Sequence, residues 1–146
     1  LGDVYKRQDI IDDYAHHPVE ILAVLSAARK YTSGRVIAIH QPHRYTRLKS
    51  LMSDFSKCFD EADIVGIAPI YEAGEKPIKG INSEKLIKLL NNRSNNASII
   101  RNEIELVNFL KSNGKPGDLF ICLGAGSISQ WVNKLPDILC NSNKND

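Results

Sequence analysis

The sequence has no long apolar run and no recognisable secretory leader. No stretch approaches the roughly 18 consecutive apolar residues that a membrane-spanning helix needs. Its three cysteines, Cys58, Cys122 and Cys140, are far apart and form no CxxC pair, which argues against a disulfide framework or a zinc knuckle. We therefore expect a cytoplasmic protein with reduced thiols, and we expect Cys122, which lies in an apolar run, in the core.

A strong charge of either sign is also missing. The 19 Lys and Arg residues against 17 Asp and Glu residues give a net charge of +2. Nucleic-acid and membrane partners usually require a clustered basic face, so we expect neither. The sequence also lacks a GxxxxGK[ST] loop. We therefore do not expect this chain alone to cradle the phosphates of ATP as a P-loop does.

The composition is that of one ordinary globular domain. The chain has 146 residues, of which 42% are hydrophobic and 25% are charged. Residues 1–8, LGDVYKRQ, resemble a non-native leader, and residues 137–146 form a polar tail with little apolar content. We therefore assign the domain to residues 9–136, and the abrupt start indicates a fragment of a longer chain.

Short apolar runs alternate with stretches of helical periodicity, which is typical of βα units. This pattern predicts an α/β fold, a three-layer sandwich in which a mostly parallel, Rossmann-like sheet has helices on both faces. The predicted strands cover Ile10 and Ile11 and then residues 35–40, 63–69, 98–100 and 118–123. The predicted helices begin at Pro18, follow Arg47, cover residues 83–90 and 103–111, and end with one that finishes near Leu135.

Unusual polar residues and glycines follow four of the predicted strands. In open parallel sheets, ligands bind beyond the carboxyl ends of the strands, where the strand-to-helix loops meet. We therefore expect these residues at one edge of the sheet. They are Asp13, Tyr14, His16 and His17 after the first strand, His43, Arg44 and Arg47 after the second, Tyr71 and Glu75 after the third, and Gly124 and Gly126 after the last.

Arg44 and Arg47 have the spacing of an anion clamp at a strand end. Their guanidinium groups present forks of N–H donors that suit a carboxylate or a phosphate. The alternative is that both arginines only solvate a loop or pair with Asp54 or Glu20. Gly124-Ala125-Gly126 leaves a similar choice between a phosphate loop and tight helix packing, because a lone GxG is a weak signal. The segment from Tyr71 to Gly74 is either a lid or a plain turn.

The histidines also allow several interpretations. His16 and His17 lie beside two aspartates and can serve as general bases, metal ligands or hydrogen-bond donors to a nucleotide. Adjacent histidines rarely ligate one metal, and other ligands at recognised spacing are missing, so we predict no metal site. A structural role for His17, as the cap of the following helix, is equally open.

Together, four segments resemble one family. Residues 12–21, DDYAHHPVEI, are similar to the segment that opens the third domain of the UDP-N-acetylmuramate:L-alanine ligases, the MurC branch of the Mur ligase family. Residues 41–47, QPHRYTR, residues 71–78, YEAGEKPI, and the GD and GAG motifs at residues 117–126 resemble further family segments, in family order. His40 stands where the family usually has Phe, Val19 and Leu48 where it has Thr, and Ser127 where it has Asn or Asp.

The resemblance implies an ATP-dependent, amide-forming ligase of peptidoglycan precursor synthesis. It implies that ATP and Mg²⁺ bind mainly to a central domain that is missing here, as is an N-terminal domain that binds UDP-N-acetylmuramate. Arg44 and Arg47 would hold the L-alanine carboxylate, while Tyr14 and His16 would line the amino-acid pocket, with His16 as acceptor of the amine proton. Asp13 would bind the ATP ribose, and His17 would also face the nucleotide.

Three alternatives remain open at this point. A related murein-peptide ligase of cell-wall recycling joins a whole peptide to the same sugar nucleotide and has similar motifs. A non-catalytic module that binds amino acids or nucleotides is the second alternative. A metal-dependent phosphoesterase that uses the histidines is the third. The implied ligase reaction predicts that this fragment is inactive alone.

Overall fold

The computed structural model describes residues 9–135, so the predicted leader, the polar tail and Cys140 lie outside the described residues. Strands and helices alternate along the chain. The strands are β1 (Asp9–Asp13), β2 (Val36–His40), β3 (Ile64–Ile67), β4 (Ala97–Ile99) and β5 (Leu119–Leu123). The helices are α1 (Pro18–Tyr31), α2 (Tyr45–Lys57), α3 (Ser83–Asn92), α4 (Glu103–Asn113) and α5, which covers residues 128–135.

The five strands form one parallel sheet in the order β1-β5-β2-β3-β4. The central strands β2, β3 and β5 are buried along their whole length. This burial explains why their sequences are continuous apolar runs rather than alternating ones. The parallel arrangement places every strand-to-helix loop at the carboxyl edge of the sheet, as predicted.

Two apolar clusters, one on each face of the sheet, confirm the three-layer sandwich. Alternate side chains of each strand point to opposite faces. Val36 and Ala38 join the cluster formed with α1, α2 and α3, whereas Ile37 and Ile39 join the cluster formed with α4 and α5. The helices therefore cover both faces of the sheet.

The predicted elements are confirmed, with shifts of one to three residues at their ends. The largest difference that affects the site is in β1. The sequence places Asp12 and Asp13 after the strand, but both pair with β5, opposite Cys122 and Leu123. Asp13 is therefore held by the sheet itself, and the loop begins at Tyr14, two residues later than predicted.

Three helices begin at side-chain caps that the sequence supplies locally. His17 caps α1 and Asn102 caps α4. At α3 the sequence leaves Asn82 and Ser83 as alternatives, and the structure selects Asn82, whose side chain accepts a hydrogen bond from the Lys85 N–H at 2.8 Å. The Ser83 hydroxyl instead donates to the Ala68 carbonyl at 2.6 Å.

The two described cysteines are free and buried, and Cys122 is in the core as predicted. Burial raises the pKa of the Cys58 thiol to about 12. Burial also raises the pKa of Cys122. Neither thiol therefore ionises near neutral pH. Within residues 9–135, no helix is long and apolar enough to cross a membrane.

Candidate active site at the carboxyl edge of the sheet

Four loops meet at the carboxyl edge, as the positions of their polar residues predict. Side-chain rings connect three of these loops. Tyr14 contacts His16 edge-on with ring centroids 5.3 Å apart, His16 lies 6.0 Å from His43, and His43 stacks on Tyr71 at 5.3 Å. The fourth loop touches the third at Gly126, directly beneath Tyr71. Residues separated by more than 100 positions thus form one continuous surface.

The first loop fixes Asp13 and His16 through short-range hydrogen bonds. The Asp13 Oδ1 atom accepts from the Ala15 N–H at 2.8 Å. The His16 Nδ1 atom lies 3.0 Å from the Tyr14 carbonyl oxygen. Because a carbonyl only accepts, Nδ1 carries the proton, and a neutral His16 keeps a lone pair on Nε2. Tyr14 remains 70% exposed.

His17 has a structural role. Its Nδ1 atom accepts from the Val19 N–H at 3.3 Å, while the Glu20 carboxylate accepts from the His17 N–H at 3.1 Å. This reciprocal pair is a capping box that satisfies the first backbone donors of α1. The capping interpretation of the sequence is therefore confirmed, while a contact between His17 and a nucleotide stays a prediction.

Arg44 has an unusual backbone conformation. Its φ is 72° and its ψ is 137°, a region that residues with a side chain rarely occupy. The Arg44 N–H donates to the Tyr71 carbonyl at 2.8 Å, and the Tyr71 N–H donates to the Pro42 carbonyl at 2.8 Å. A strained residue of this kind persists only where its surroundings hold it, and such residues concentrate at functional sites. The structure therefore singles out Arg44 independently of its charge.

Arg47 is directed by His43, four residues earlier in the chain. Its Nη1 atom lies 3.2 Å from His43 Nδ1 and 3.4 Å from the His43 carbonyl. A guanidinium only donates, so His43 Nδ1 must be the acceptor, and the neutral ring carries its proton on Nε2. Burial, followed by the positive charge of Arg47, lowers the pKa of His43. His43 is therefore a neutral support for Arg47.

Glu75 replaces the missing cap of α2. Arg44 stands at the N-cap position without a side-chain bond to the helix. The Glu75 carboxylate instead accepts from the Thr46 N–H at 3.1 Å and from the Thr46 hydroxyl at 2.5 Å. These two bonds to Thr46 lower the pKa of Glu75. The third loop thus anchors the helix that carries Arg47.

Neither arginine forms the ion pair that the sequence leaves as an alternative. Among the described residues, Arg44 and Arg47 pair with neither Asp54 nor Glu20. The Arg44 side chain is exposed, and Arg47 is half-buried. Their guanidinium groups are therefore accessible to an anion.

The sequence patterns did not predict three positioning roles in the site, those of Gln41, His43 and the ring of Tyr71. Gln41 is 3% exposed, and its Oε1 atom accepts from the Ile128 N–H at 3.0 Å. Its Nε2 atom donates to the Pro69 carbonyl at 3.2 Å. Its place after a buried strand, at the start of the family-like segment at residues 41–47, was the signal that the sequence offered. Residues 9–135 contain no group of three or more His, Cys, Asp or Glu side chains arranged to hold a metal ion.

The fold and the carboxyl edge of the sheet define the class of protein. It is an α/β domain with the guanidinium groups of Arg44 and Arg47 and the Nε2 lone pair of His16 at the surface of that edge. Residues 2–126 match the family described as Mur ligase, glutamate ligase domain. The chain therefore belongs to the Mur ligase family.

One curated relative within this family has a more specific name. The chain is 53% identical over 131 residues to the UDP-N-acetylmuramate--L-alanine ligase of Paracoccus denitrificans. The match covers 89% of this chain and 28% of that enzyme. The chain thus spans less than a third of the length of the curated relatives it matches.

Solved structures agree on the fold. The UDP-N-acetylmuramate-alanine ligase MurC of Thermotoga maritima superimposes with a TM-score of 0.72 at 24% identity, over 92% of this chain and 27% of that one. A murein peptide ligase of Psychrobacter arcticus gives a TM-score of 0.66 at 19% identity, over 88% of this chain and 27% of that one. At these identities the likeness confirms the three-layer architecture of this domain.

Proposed function

We propose that this chain is the C-terminal domain of an ATP-dependent ligase that joins L-alanine to UDP-N-acetylmuramate in cytoplasmic peptidoglycan precursor synthesis. The observation that carries the proposal is the 53% identity over 131 residues to an enzyme of that name. The exposed arginines at the loop edge support it, because an amino-acid substrate brings a carboxylate to the site. Residues 9–136 form this domain.

In the proposed reaction, ATP phosphorylates the muramoyl carboxylate, and the amine of L-alanine attacks the resulting acyl phosphate. Phosphate leaves and an amide forms. Arg44 and Arg47 hold the alanine carboxylate through N–H donors, and so fix the amine relative to the acyl carbon. The 3.2 Å contact with His43 supports this role, because it sets the direction of the Arg47 guanidinium.

His16 accepts the proton that the attacking amine loses. Its Nδ1–H is committed to the Tyr14 carbonyl at 3.0 Å, which leaves Nε2 as the basic atom. Tyr14 lines the amino-acid pocket beside it. The 70% exposure of Tyr14 supports a pocket that is completed by another part of the full-length protein.

Asp13 binds the ribose hydroxyls of ATP, and His17 faces the same nucleotide. One carboxylate oxygen of Asp13 is used by the Ala15 N–H, so the other is available to accept from a diol. The phosphates of ATP and the Mg²⁺ ion bind mainly to the central domain, which supplies the charge neutralisation that phosphoryl transfer needs. Closure of this domain over the central one excludes water from the acyl phosphate.

A chimaeric enzyme tests the proposal. Residues 9–135 replace the corresponding segment of the Paracoccus denitrificans ligase, so that its upstream regions supply the remaining machinery. We expect phosphate release from ATP that depends on both UDP-N-acetylmuramate and L-alanine, and none from the 146-residue chain alone. Release that depends on a tripeptide but not on L-alanine would instead identify a murein-peptide ligase. A chimaera that folds, binds its substrates and releases no phosphate would indicate a non-catalytic binding module.

A further inference from the structure

Tyr71 contacts both the backbone of the loop that carries Arg44 and the imidazole ring of His43 in that loop. Its carbonyl accepts from the Arg44 N–H and its N–H donates to the Pro42 carbonyl, both at 2.8 Å. Its ring stacks on the imidazole of His43, with 5.3 Å between centroids and 23° between planes. One tyrosine therefore contacts three consecutive residues of that loop, Pro42, His43 and Arg44.

Gly126 leaves the space that Tyr71 needs. A Cβ atom at position 126 would lie 2.6 Å from Tyr71 Cγ, 2.9 Å from Tyr71 Cβ and 2.8 Å from Gln41 Oε1, all closer than real Cβ contacts. The loop beneath cannot easily retreat, because the buried Gln41 side chain accepts from its Ile128 N–H and donates to the Pro69 carbonyl in the segment that follows β3. Gly126 is thus a firm base under the tyrosine ring.

Arg44 depends on this support because of its backbone. A φ of 72° is unfavourable for a residue with a side chain, so the loop needs outside contacts to hold it there. The hydrogen bond to Tyr71 and the stack on the adjacent His43 are those contacts. If Tyr71 moved, Arg44 would relax towards a common conformation, and its guanidinium would point elsewhere.

We propose that Tyr71, seated on Gly126, is a positioning residue that directs Arg44 and so sets the affinity of the site for the carboxylate of its amino-acid substrate. This role rests on the proposed function of Arg44. The Tyr71 hydroxyl makes no hydrogen bond among the described residues, so the ring and the backbone carry the role.

Kinetics of the chimaeric ligase test the role. Tyr71→Ala and Gly126→Ala are each expected to raise KM for L-alanine by roughly tenfold to a hundredfold, as a displacement of about 1 Å can do, with a smaller change in kcat. Tyr71→Phe restores KM, because it keeps the ring. In the double variant Y71A/G126A the two effects on KM are expected to combine to less than their product, because the close approach to Tyr71 Cγ is gone while those to the Cβ of residue 71 and to Gln41 Oε1 remain.

Gly66→Ala is the matched control. Gly66 lies within β3, and its added Cβ would clash with Ile100 Cδ1 and lie 3.2 Å from Phe109 Cζ, away from Tyr71 and Gln41. We expect this variant to lower the thermal midpoint without raising KM for L-alanine. If Gly66→Ala and Gly126→Ala raised KM equally, general packing damage would explain the effect and the positioning role would be overturned.

Amide hydrogen exchange in the 146-residue chain separates this inference from the proposed function. We expect the Arg44 amide to exchange faster in Tyr71→Ala and Gly126→Ala than in Tyr71→Phe. Unchanged exchange in both alanine variants would overturn the positioning role even with an active ligase. Faster exchange without a change in KM would overturn its link to the carboxylate. An unsubstituted chimaera with no alanine-dependent turnover would overturn the proposed function, and that link with it.

Discussion

The imidazole of His40 donates from Nδ1 to the carbonyl oxygen of Leu123 at 2.9 Å, across two paired strands. The ring is completely buried and lies against Phe55 and Phe59, with centroids 5.6 Å and 5.5 Å away. Its Nε2 atom has no partner among the described residues. Burial therefore lowers the pKa of His40 to about 4.

This pKa predicts acid sensitivity. Between pH 6.5 and about 4 the unfolded chain takes up a proton at His40 and the folded protein does not, so unfolding becomes easier as the pH falls. The shift corresponds to about 3 kcal/mol of unfolding free energy. This contribution is lost progressively across that pH window, and the loss is complete below it. Chemical denaturation of the chain at a series of pH values measures the loss.

His40→Phe is expected to remove this pH dependence while keeping or raising stability at pH 7. A phenyl ring fills the same aromatic cluster without an unpaired nitrogen. The Leu123 carbonyl keeps a partner, because it also accepts from the Gln41 N–H at 3.2 Å. An equally steep loss of stability between pH 6.5 and 4 in this variant would show that another group is responsible.

Arg44→Ala in the chimaeric ligase is expected to raise KM for L-alanine by roughly tenfold to a hundredfold, the equivalent of one lost charge-assisted hydrogen bond. Arg44→Lys restores little, because an ammonium group lacks the fork of donors. Arg93→Ala is the control, since Arg93 pairs with Asp60 away from the loop edge. The proposed carboxylate contact fails if Arg44→Ala leaves KM for L-alanine unchanged.

His16→Ala is expected to lower kcat by about 10²-fold to 10⁴-fold, the usual contribution of a general base. KM should change much less, because the arginine pair is untouched. Steady-state kinetics of both enzymes at saturating ATP measure the two constants separately. If kcat stayed near the unsubstituted value, another group would be the base.

His17→Ala is expected to cost about 1 kcal/mol of unfolding free energy, because α1 loses its N-cap. His17→Ser and His17→Asn should retain most of the stability, since their side chains also accept from the second or third N–H of the helix. Denaturant titration of the three variants tests this order. Reduced ATP affinity in a stable His17→Ser chimaera would support the additional contact with the nucleotide, and unchanged affinity would contradict it.

Much of the fold could be predicted because the signals are local. Continuous apolar runs such as residues 119–123 indicate buried parallel strands, and helical periodicity and capping residues mark the helices between them. The convergence of the four loops follows from the parallel sheet itself. The end of β1 could not be placed, because Asp12 and Asp13 are polar residues that only pairing with β5 holds in a strand.

The sequence by itself determined the α/β sandwich, the edge at which the polar loops meet and the family to which the chain belongs. The tertiary structure alone decided which side chains touch there. In the folded protein, His43 is a neutral acceptor for Arg47, and Glu75 caps α2. Tyr71 packs on Gly126, and Arg44 is held in a strained conformation. Strand and helix patterns depend on near neighbours in the chain. Contacts such as those of Glu75 with Thr46 and of Tyr71 with Gly126 instead join loops that are far apart in the chain and meet only once the sheet has formed.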